Sequence, residues 1–338
     1  MTAPDLFAKP DLFSLAPQRS STHDGAHVIS SRPRHHRHHA PWEAARMTDE
    51  PRFQLGSLDI LRLTEIVLPP FAANMVLLDW ADELIAPHQD ELIPDAMTPD
   101  SAGLVVNVNL WVVRTPHHLM VIDTGIGDGR TRRIPQFDGL HTGLLDRMRA
   151  AGIAPEAVDY VLCTHIHSDH VGWNTCWNNG HWTPAFPNAR YLWSRTENDK
   201  AASEGFRTGP AAGVYEDSVL PVIEAGLLDL VPDDGGEVIE GVTFHPTPGH
   251  TPGHMSISVR SAGHEAFFSG DVLHSPVQVL RPTWNSMFCQ DAEAARRSRR
   301  WALEHTAERS ALVLPAHFGG RSAGRVVRRG ECFHCTFA

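Results

Sequence analysis

The sequence predicts an α/β domain with a metal-binding site at the ends of its strands. Residues 104–113 and 118–122 have strand patterns, and helical spacing follows over residues 140–151. A strand-like run over residues 157–163 then leads directly into a cluster of histidines and an aspartate, and further strand-like runs follow. Strands that alternate with helices, and that end in metal-ligand side chains, predict a mixed α/β fold built around a metal site.

Length and composition narrow the protein class. The chain has 338 residues and 42% hydrophobic content, enough for one large domain or two small ones. A formal net charge of −11 argues against a nucleic-acid partner, which would need clustered Lys and Arg on one face. No stretch approaches the ~20 apolar residues of a membrane span, and the first residues lack the apolar core of a secretory signal. We therefore expect a cytoplasmic protein with no membrane partner.

The five cysteines predict no disulfide framework. They are an odd number without framework spacing, which fits a reducing compartment. Cys332 and Cys335 form a C-x-x-C pair near the C-terminus, but a single pair is a weak zinc signal. We interpret both as free thiols, with no role assigned.

The N-terminal 52 residues differ from the rest of the chain. They are rich in Pro, Ser, His and Arg and show no sustained period of two or 3.6 residues, so we predict a disordered tail over residues 1–52 and a domain over residues 53–338. The histidine-rich run at residues 34–39 has no acidic partner, and we expect it to stay solvated. Met47 is an alternative start of the functional chain that the sequence leaves open.

Within the domain, the first strand is predicted at residues 58–67. Residues 70–101 have no clear period and are interpreted as a long excursion or lid, a kind of segment that often serves function. Ser194 followed by Glu197 resembles the start of a helix. The remaining predicted elements are strands at 190–193, 237–246, 254–260, 265–269 and 311–314, and helices at 214–225 and 291–308.

The histidine cluster is the most informative motif of the chain. Its pattern is H-x-H-x-D-H, formed by His165, His167, Asp169 and His170. With 22 histidines in the chain, chance would produce this pattern in roughly one sequence in a few hundred. A solvated His-rich loop and satisfied core histidines are the alternatives. A strand that ends in this cluster would place the imidazoles on a turn where they can converge on one point.

Three further candidate ligands each follow a predicted strand. His250 lies in a rigid Pro- and Gly-rich turn, Asp271 follows Gly270 at a strand end, and His317 follows the strand at 311–314. Each would be unremarkable alone, because a single histidine at a strand end is more often structural. Together with the H-x-H-x-D-H motif, they supply the ligands that a two-metal centre requires.

Asp123, in a D-T-G sequence, precedes these motifs. In this order, the whole set resembles the pattern of the metallo-β-lactamase superfamily of binuclear hydrolases, over about residues 53–325. The resemblance implies a single domain with a four-layer αββα sandwich fold and the metals at the sandwich edge. It implies that His165, His167 and His250 hold one metal and that Asp169, His170 and His317 hold the other. Asp271 would bridge the two metals.

Ligand chemistry agrees with this assignment. Imidazole and carboxylate ligands without thiolate suit two Zn²⁺ ions, with Fe or Mn as alternatives, and a pair of such metals can share a bridging hydroxide nucleophile. Asp169 is then expected to be both a ligand and the proton shuttle to the leaving group. Asp123 and His254 are expected to orient ligands, and His274 to lie near the metals but outside their ligand set.

One difference from the two-zinc lactamases indicates which branch of the superfamily this chain resembles. The two-zinc lactamases have a Cys where this chain has Asp271, which argues against a β-lactam substrate. The stretch from Gly270 to Gln278 is similar to the branch with methyl parathion hydrolase and metal-dependent lactonases, whereas Phe318 to Arg321 departs from the methyl parathion hydrolase form. The resemblance implies a small-molecule ester, lactone or phosphotriester as substrate.

Several alternatives remain open at this stage. The same superfamily includes mononuclear iron sulfur dioxygenases and thioester hydrolases, and a non-catalytic binding module is a third possibility, although no ligand position has been lost here. Phe71, Trp173, Trp284 and Phe288 are candidate pocket residues that a core role would also explain. A homodimer is compatible with the sequence.

Overall fold

The structure, a computed structural model, describes residues 50–93, 95–100, 103–330 and 332–338. The predicted tail therefore lies almost entirely outside the described residues, as do Met47 and the histidine-rich run before it. In the described part of the chain, no helix has the length and apolar character needed to span a membrane.

The strands are numbered in chain order. They are β1 (Arg52–Leu55), β2 (Leu58–Val67), β3 (Phe71–Ala72), β4 (Gly103–Leu104), β5 (Asn107–Arg114), β6 (Leu119–Ile122), β7 (Tyr160–Leu162), β8 (Thr175–Asn178), β9 (His181–Pro184), β10 (Arg190–Ser194), β11 (Leu228–Val231), β12 (Gly236–Ile239), β13 (Val242–Pro246), β14 (Met255–Ser261), β15 (His264–Phe268), β16 (Leu312–Val313), β17 (Gly324–Arg329) and β18 (Cys332–Phe337).

The α-helices are numbered in the same way. They are α1 (Ala73–Val76), α2 (Asp82–Ile85), α3 (Gln89–Leu92), α4 (Leu144–Ala150), α5 (Arg195–Ala202), α6 (Glu204–Thr208), α7 (Leu220–Glu224), α8 (Val277–Leu280) and α9 (Ala292–Arg309). A π-helical turn at Tyr215–Val219 precedes α7, and short 3-10 turns lie at Ala86–His88, Pro155–Ala157, Gly172–Asn174 and Gly270–Val272.

Two seven-stranded sheets form the centre of the molecule. The first has the order β1-β2-β5-β6-β7-β10-β11 and the second the order β12-β13-β14-β15-β16-β17-β18. Buried residues of the two sheets, such as Trp111 and Phe268, share one hydrophobic cluster between the sheets. The outer face of the first sheet packs against Met148 of α4, and that of the second packs against Leu303 of α9. These four layers confirm the predicted αββα sandwich.

Strand β2 illustrates why its residues form a buried strand. Leu58 and Ile60 face the second sheet, whereas Leu61 and Leu63 lie in the cluster beneath the helices of the first layer. Successive side chains of a strand point to opposite faces, so a strand that is covered on both faces needs a nearly continuous apolar run. Glu65 lies on the same face as Leu61 and Leu63 and is fully buried although it is an acid, which indicates a special role.

Helix α9 is stabilised at its start by Asp291. The Asp291 side chain accepts hydrogen bonds from the backbone N–H groups of Glu293 and Ala294, both at 3.0 Å. An acceptor at this position satisfies N–H groups that have no partner inside the helix. The helix then buries Ala302 and Leu303 against the second sheet.

Some predicted boundaries were wrong. The chain already enters the first sheet at Arg52, because β1 pairs with β2 and Phe53 packs against Trp111. The single strand predicted at 237–246 is instead the hairpin β12–β13, which turns at Gly241 with φ +77°. The helix predicted over 140–151 begins only at Leu144.

The C-terminal hairpin β17–β18 was not predicted at all. It extends the second sheet beyond β16 and contains both Cys332 and Cys335. Both are free thiols, as predicted, and burial raises the pKa of Cys335 to about 12. A thiol with such a pKa stays protonated and is a poor metal ligand at neutral pH.

Residues 71–104, here called the rim segment, form more than the irregular excursion that was predicted. Leu77 and Leu104 are fully buried in a cluster with Val277 and Trp284. The backbone N–H of Met287 donates to the carbonyl of Val76 at 2.9 Å. The rim segment is therefore attached to the stretch of chain that follows Asp271.

Candidate metal centre

The candidate ligands lie where strands of both sheets end. In the first sheet β6, β7 and β10 are parallel, so that Asp123, the H-x-H-x-D-H loop and Ser194 emerge at one edge. In the second sheet β15 and β16 are parallel and are followed by Asp271 and His317. The carboxyl ends of parallel strands meet at one edge of a sheet, where ligand sites are commonly built.

Backbone hydrogen bonds join the two edges at this point. The N–H of Met255 donates to the carbonyl of Thr164 at 2.9 Å, which links the second sheet to the histidine loop. The N–H of Asn107 donates to the carbonyl of His317 at 3.2 Å, which links the first sheet to the last candidate ligand. The site is thus built on rigid elements of both sheets.

His165, His167 and His250 form the first group of converging ring nitrogens. Nδ1 of His167 lies 3.1 Å from Nε2 of His165 and 2.9 Å from Nε2 of His250. Burial lowers the pKa of His167 to about 3 and those of His165 and His250 well below the ordinary value. All three imidazoles are therefore neutral at physiological pH, the form that binds metals.

Asp169, His170 and His317 form the second group. Nε2 of His170 lies 3.2 Å from Nε2 of His317, and Oδ2 of Asp169 lies 3.6 Å from the latter atom. The Asp169 side chain is more exposed than those of the two histidines, at 17% against 1% and 5%. It is consequently the member of this group that solvent or a bound molecule can reach most easily.

Asp271 lies between the two groups with one carboxylate oxygen toward each. Oδ1 lies 3.0 Å from Nε2 of His317, and Oδ2 lies 3.1 Å from Nε2 of His250. Burial alone would raise the pKa of Asp271, but the surrounding histidines, His317 foremost, hold it well below its ordinary value. The carboxylate is ionised and faces both groups, as a bridging ligand must.

The donor set fits metal ions better than a hydrogen-bond network. Oδ1 of Asp271 has two imidazole nitrogens within 3.2 Å, yet within the described residues it accepts no hydrogen bond of acceptable geometry. Two nitrogen ligands of one tetrahedral zinc ion lie about 3.3 Å apart, close to the separations in both groups. Three neutral imidazoles also cannot all donate to one another, whereas all three can donate lone pairs to one cation.

Asp123 and Asn107 orient the histidines of the second group. Oδ2 of Asp123 lies 2.9 Å from Nδ1 of His170, and its Oδ1 accepts from the backbone N–H of Thr164 at 2.8 Å. The carbonyl of Asn107 lies 2.9 Å from Nδ1 of His317. Each contact directs the opposite nitrogen, Nε2, toward the centre. Asp123 has a φ of +53°, a conformation that is costly for a residue other than glycine and that often occurs at functional sites.

His254 orients the backbone of Asp271. Its Nδ1 contacts Oγ1 of Thr247 at 2.9 Å, and its Nε2 accepts from the backbone N–H of Asp271 at 3.0 Å. Burial lowers the pKa of His254 to about 4, so that the neutral ring can accept this bond. A Cβ on Gly270 would come within 2.6 Å of that same nitrogen, which explains why glycine precedes Asp271.

Two buried glutamates that hold the loops of the site were not predicted as site residues. Glu197 accepts from the backbone N–H of Ile166 at 2.9 Å and from that of Gly253 at 3.0 Å. Its position after Ser194 suggested only a helix start, and the Ser194 cap is indeed present. The carboxylate of Glu197 instead ties the histidine loop to the turn that carries His250.

Glu65 holds the loop that follows Asp123. It accepts from the backbone N–H groups of Ile126 at 2.5 Å and Gly127 at 3.0 Å, and from the indole N–H of Trp173 at 2.7 Å. Burial raises the pKa of Glu65, although these hydrogen bonds oppose the effect. The sequence signal was an acid on the same face of β2 as the apolar Leu61 and Leu63.

His274 and Phe288 lie beside the centre rather than in either ligand group. Nε2 of His274 lies 3.3 Å from Oδ2 of Asp271, which agrees with its predicted place outside the ligand set. The ring of Phe288 lies 5.9 Å from that of His274 and is 43% exposed. Of the four aromatic residues considered as pocket residues, Trp173 and Trp284 are buried core residues, and Phe288 is the most exposed.

Comparison with known proteins agrees with this geometry. Residues 103–317 match the family model of the metallo-beta-lactamase superfamily. Among curated relatives, the N-acyl homoserine lactonase AiiA of Bacillus thuringiensis subsp. kurstaki is 24% identical over 183 residues, which are 50% of this chain and 64% of the relative. AttM of Rhizobium radiobacter, also an N-acyl homoserine lactonase, is 32% identical over 120 residues, or 35% of this chain and 42% of the relative.

Solved structures show the same fold at low identity. The hydrolase AbOPH is similar with a TM-score of 0.71 and 22% identity, covering 86% of this chain and 97% of that chain. AidC, a dizinc quorum-quenching lactonase, has a TM-score of 0.69 and 21% identity with the same coverage. The resemblance inferred from the motifs is confirmed, and the chain belongs to the metallo-beta-lactamase superfamily.

Proposed function

We propose that this protein is a metal-dependent hydrolase that opens lactones at a two-metal centre. The observation that carries the proposal is the position of Asp271, whose two carboxylate oxygens face different groups of ligand atoms. Such an arrangement suits a pair of ions. A mononuclear iron dioxygenase would need only one of the two groups, so the geometry favours the hydrolase.

The chain supplies the ligands of each ion separately. One ion would be held by His165, His167 and His250, and the other by Asp169, His170 and His317. We propose zinc, because imidazole and carboxylate ligands without thiolate suit it, while iron and manganese are alternatives. When bound, such a pair supplies a water-derived nucleophile at neutral pH and polarises the carbonyl of the substrate.

The remaining tasks fall to side chains of this chain. Asp169 is the more exposed carboxylate of the centre, so it is placed to accept a proton and deliver it to the leaving alkoxide of an opened lactone. Asp123, Glu197 and Glu65 keep the ligands in one geometry, which limits the reorganisation needed during the reaction.

The proposed substrate class rests on the relatives and on an exposed aromatic side chain beside the site. AiiA and AttM are named as N-acyl homoserine lactonases, and AidC as a quorum-quenching lactonase. The exposed ring of Phe288 lies next to His274, which offers apolar contact area beside the centre. We therefore propose neutral lactones with an apolar acyl chain, with carboxylic esters and phosphotriesters as slower substrates.

A substrate panel tests this proposal. Zinc-loaded protein would be assayed with acyl homoserine lactones, aryl esters, an aryl phosphotriester, a β-lactam and an anionic thioester. We expect the highest kcat/KM for the lactones and no measurable turnover of the β-lactam. The proposal would be wrong if the lactones were inert while the thioester or the β-lactam was hydrolysed.

A further inference from the structure

A second concentration of metal-ligand side chains lies outside the centre described above. His245, Glu265 and His305 each offer one ligand atom, and these atoms all lie within 4.8 Å of one another. We call them the outer group. They come from β13, β15 and α9, and they share no residue with the ligands of the candidate centre.

The three side chains already contact one another directly or through one hydroxyl. Nε2 of His305 lies 2.7 Å from Oε1 of Glu265. The hydroxyl of Ser258 donates to the same oxygen at 2.6 Å and lies 2.9 Å from Nε2 of His245. The carboxylate that would bind an ion is thus oriented by a neighbouring hydroxyl, as ligands of protein metal sites usually are.

Burial and charge give the outer group the right protonation for binding. The side chains of Glu265 and His305 are only 6% and 12% exposed. Burial lowers the pKa of His245 to about 4, which leaves its imidazole neutral. Burial would raise the pKa of Glu265, but its hydrogen bonds from His305 and Ser258 outweigh this and lower it. An ionised carboxylate is therefore available together with a neutral imidazole.

Aromatic side chains pack against the outer group. The ring of Trp301 lies 5.3 Å from that of His245 and 5.0 Å from that of His305. Phe267 lies 5.5 Å from His305 on another side. Arg260 and Arg309 are neighbouring cations. Arg260 pairs with Glu237 at 3.0 Å, and Nη1 of Arg309 is 3.8 Å from Oε2 of Glu265 on a side chain that is 53% exposed, so it can move away.

From this geometry we propose that the outer group is a structural site for a third divalent transition metal, with zinc as the ion tested. Two imidazoles and one carboxylate form a ligand set that zinc accepts. The ion replaces the proton shared by His305 and Glu265 and leaves a position for water. It fastens α9 to two strands of the second sheet and takes no part in hydrolysis.

Metal content of the purified protein tests this site without reference to lactone hydrolysis. We expect three zinc ions per chain after equilibration with buffered zinc, and two in the double variant His245→Asn and His305→Gln. The double variant should keep its kcat. Its melting temperature should fall, because the third ion no longer stabilises it. His264→Asn is the matched control, because His264 is exposed and adjoins Glu265 on the opposite face of β15; it should retain three ions. Two ions in the unaltered protein, or three in the double variant, would refute the site.

A second measurement covers the case in which the double variant does not fold. Crystals of the unaltered protein soaked in zinc should give an anomalous peak at the zinc edge within coordination distance of His245, Glu265 and His305. Peaks at the candidate centre with none at the outer group would refute the third site and leave the proposed function standing. A peak at the outer group in a protein that does not hydrolyse lactones would support the third site and refute the proposed function.

Discussion

The candidate centre and the rim beside it are held in place by very different means. Ligands of the centre follow strands of two sheets, and buried carboxylates such as Glu197 fix their loops through backbone hydrogen bonds. The rim segment contains helices of only four residues whose first turns have no side-chain caps. It also exposes apolar side chains, with Leu78 56% and Leu84 44% exposed.

Under the proposed function, this difference would separate two tasks, metal binding and substrate contact. A two-metal centre tolerates little displacement, since its ligands must stay within a few tenths of an ångström of productive geometry. Under the proposed function, the side chains that contact the substrate beside the centre need apolar contact area more than rigidity. Changes at the centre should therefore affect metal binding and kcat, whereas changes at apolar side chains beside the centre should affect KM.

The largest effect is expected from Asp271→Ala. This change removes the carboxylate that faces both ligand groups and leaves the neighbouring histidines without their common partner. We expect kcat/KM for a lactone to fall by at least about a thousandfold, together with loss of at least one bound metal per chain. Steady-state kinetics and elemental analysis on the same preparation measure both. Asp229→Ala, at a half-exposed carboxylate on β11, is the control and should behave like the unaltered protein.

A smaller effect is expected from Glu197→Gln. The two backbone N–H groups bind different oxygens of Glu197, and in a glutamine one of these oxygens is replaced by an NH2 group, which cannot accept a hydrogen bond. We expect a loss of about 1–3 kcal/mol in the free energy of unfolding and about a 10- to 100-fold loss in metal affinity. Denaturant titration and competition with a chromophoric chelator measure these two quantities. The exposed Glu204→Gln should change neither; unchanged metal affinity in Glu197→Gln would show that this carboxylate does not position the centre.

Phe288→Ala should act on substrate binding alone. The exposed ring lies beside His274 and makes no ligand contact, so its removal takes away apolar contact area only. We expect KM to rise about three- to tenfold for lactones with long acyl chains and to change little for short ones. Trp177→Ala, at a 59% exposed residue on the separate β8–β9 hairpin, is the control. An equal loss of kcat for lactones of all chain lengths would contradict a role of Phe288 in substrate binding alone.

The smallest effect is expected from deletion of residues 1–46. Their composition predicts no packed structure, and the deletion retains Glu50, which pairs with Arg147. We expect kcat to be unchanged and the melting temperature to shift by less than a few degrees. Deletion of residues 1–55 is the contrast, because it also removes β1 and should lower the melting temperature clearly. A clear fall after the shorter deletion would show that the tail stabilises the domain or an oligomer of it.

The candidate ligands could be named from the sequence because their signals are local. Four ligands lie within one short loop, and His250, Asp271 and His317 each follow a recognisable strand. The convergence of these ligands then follows from the rule that parallel strands end at one edge. That is why positions far apart in the chain could be assigned to one site.

The supporting residues and the rim could not be predicted in the same way. Glu65 and Glu197 act through backbone N–H groups of residues 61 and 56 positions away, and no local pattern encodes such partners. The rim segment has no regular period because its helices and strands are only two to four residues long, and its buried side chains pack both on one another and on residues after Asp271. The hairpin β17–β18 was missed because β17 contains three arginines and buries only Gly324 and Val326, so that no apolar or alternating run marks it as a strand.

Zinc titration of metal-free protein, followed by initial rates on an acyl homoserine lactone, tests the central claim most directly. The His245→Asn and His305→Gln background removes the outer group, so that the candidate centre is the one remaining metal-ligand group among the described residues. We predict that lactone hydrolysis rises with added zinc and reaches its plateau at two equivalents per chain. A plateau at one equivalent, or no lactone hydrolysis with two ions bound, would contradict the assignment of a two-metal lactone hydrolase.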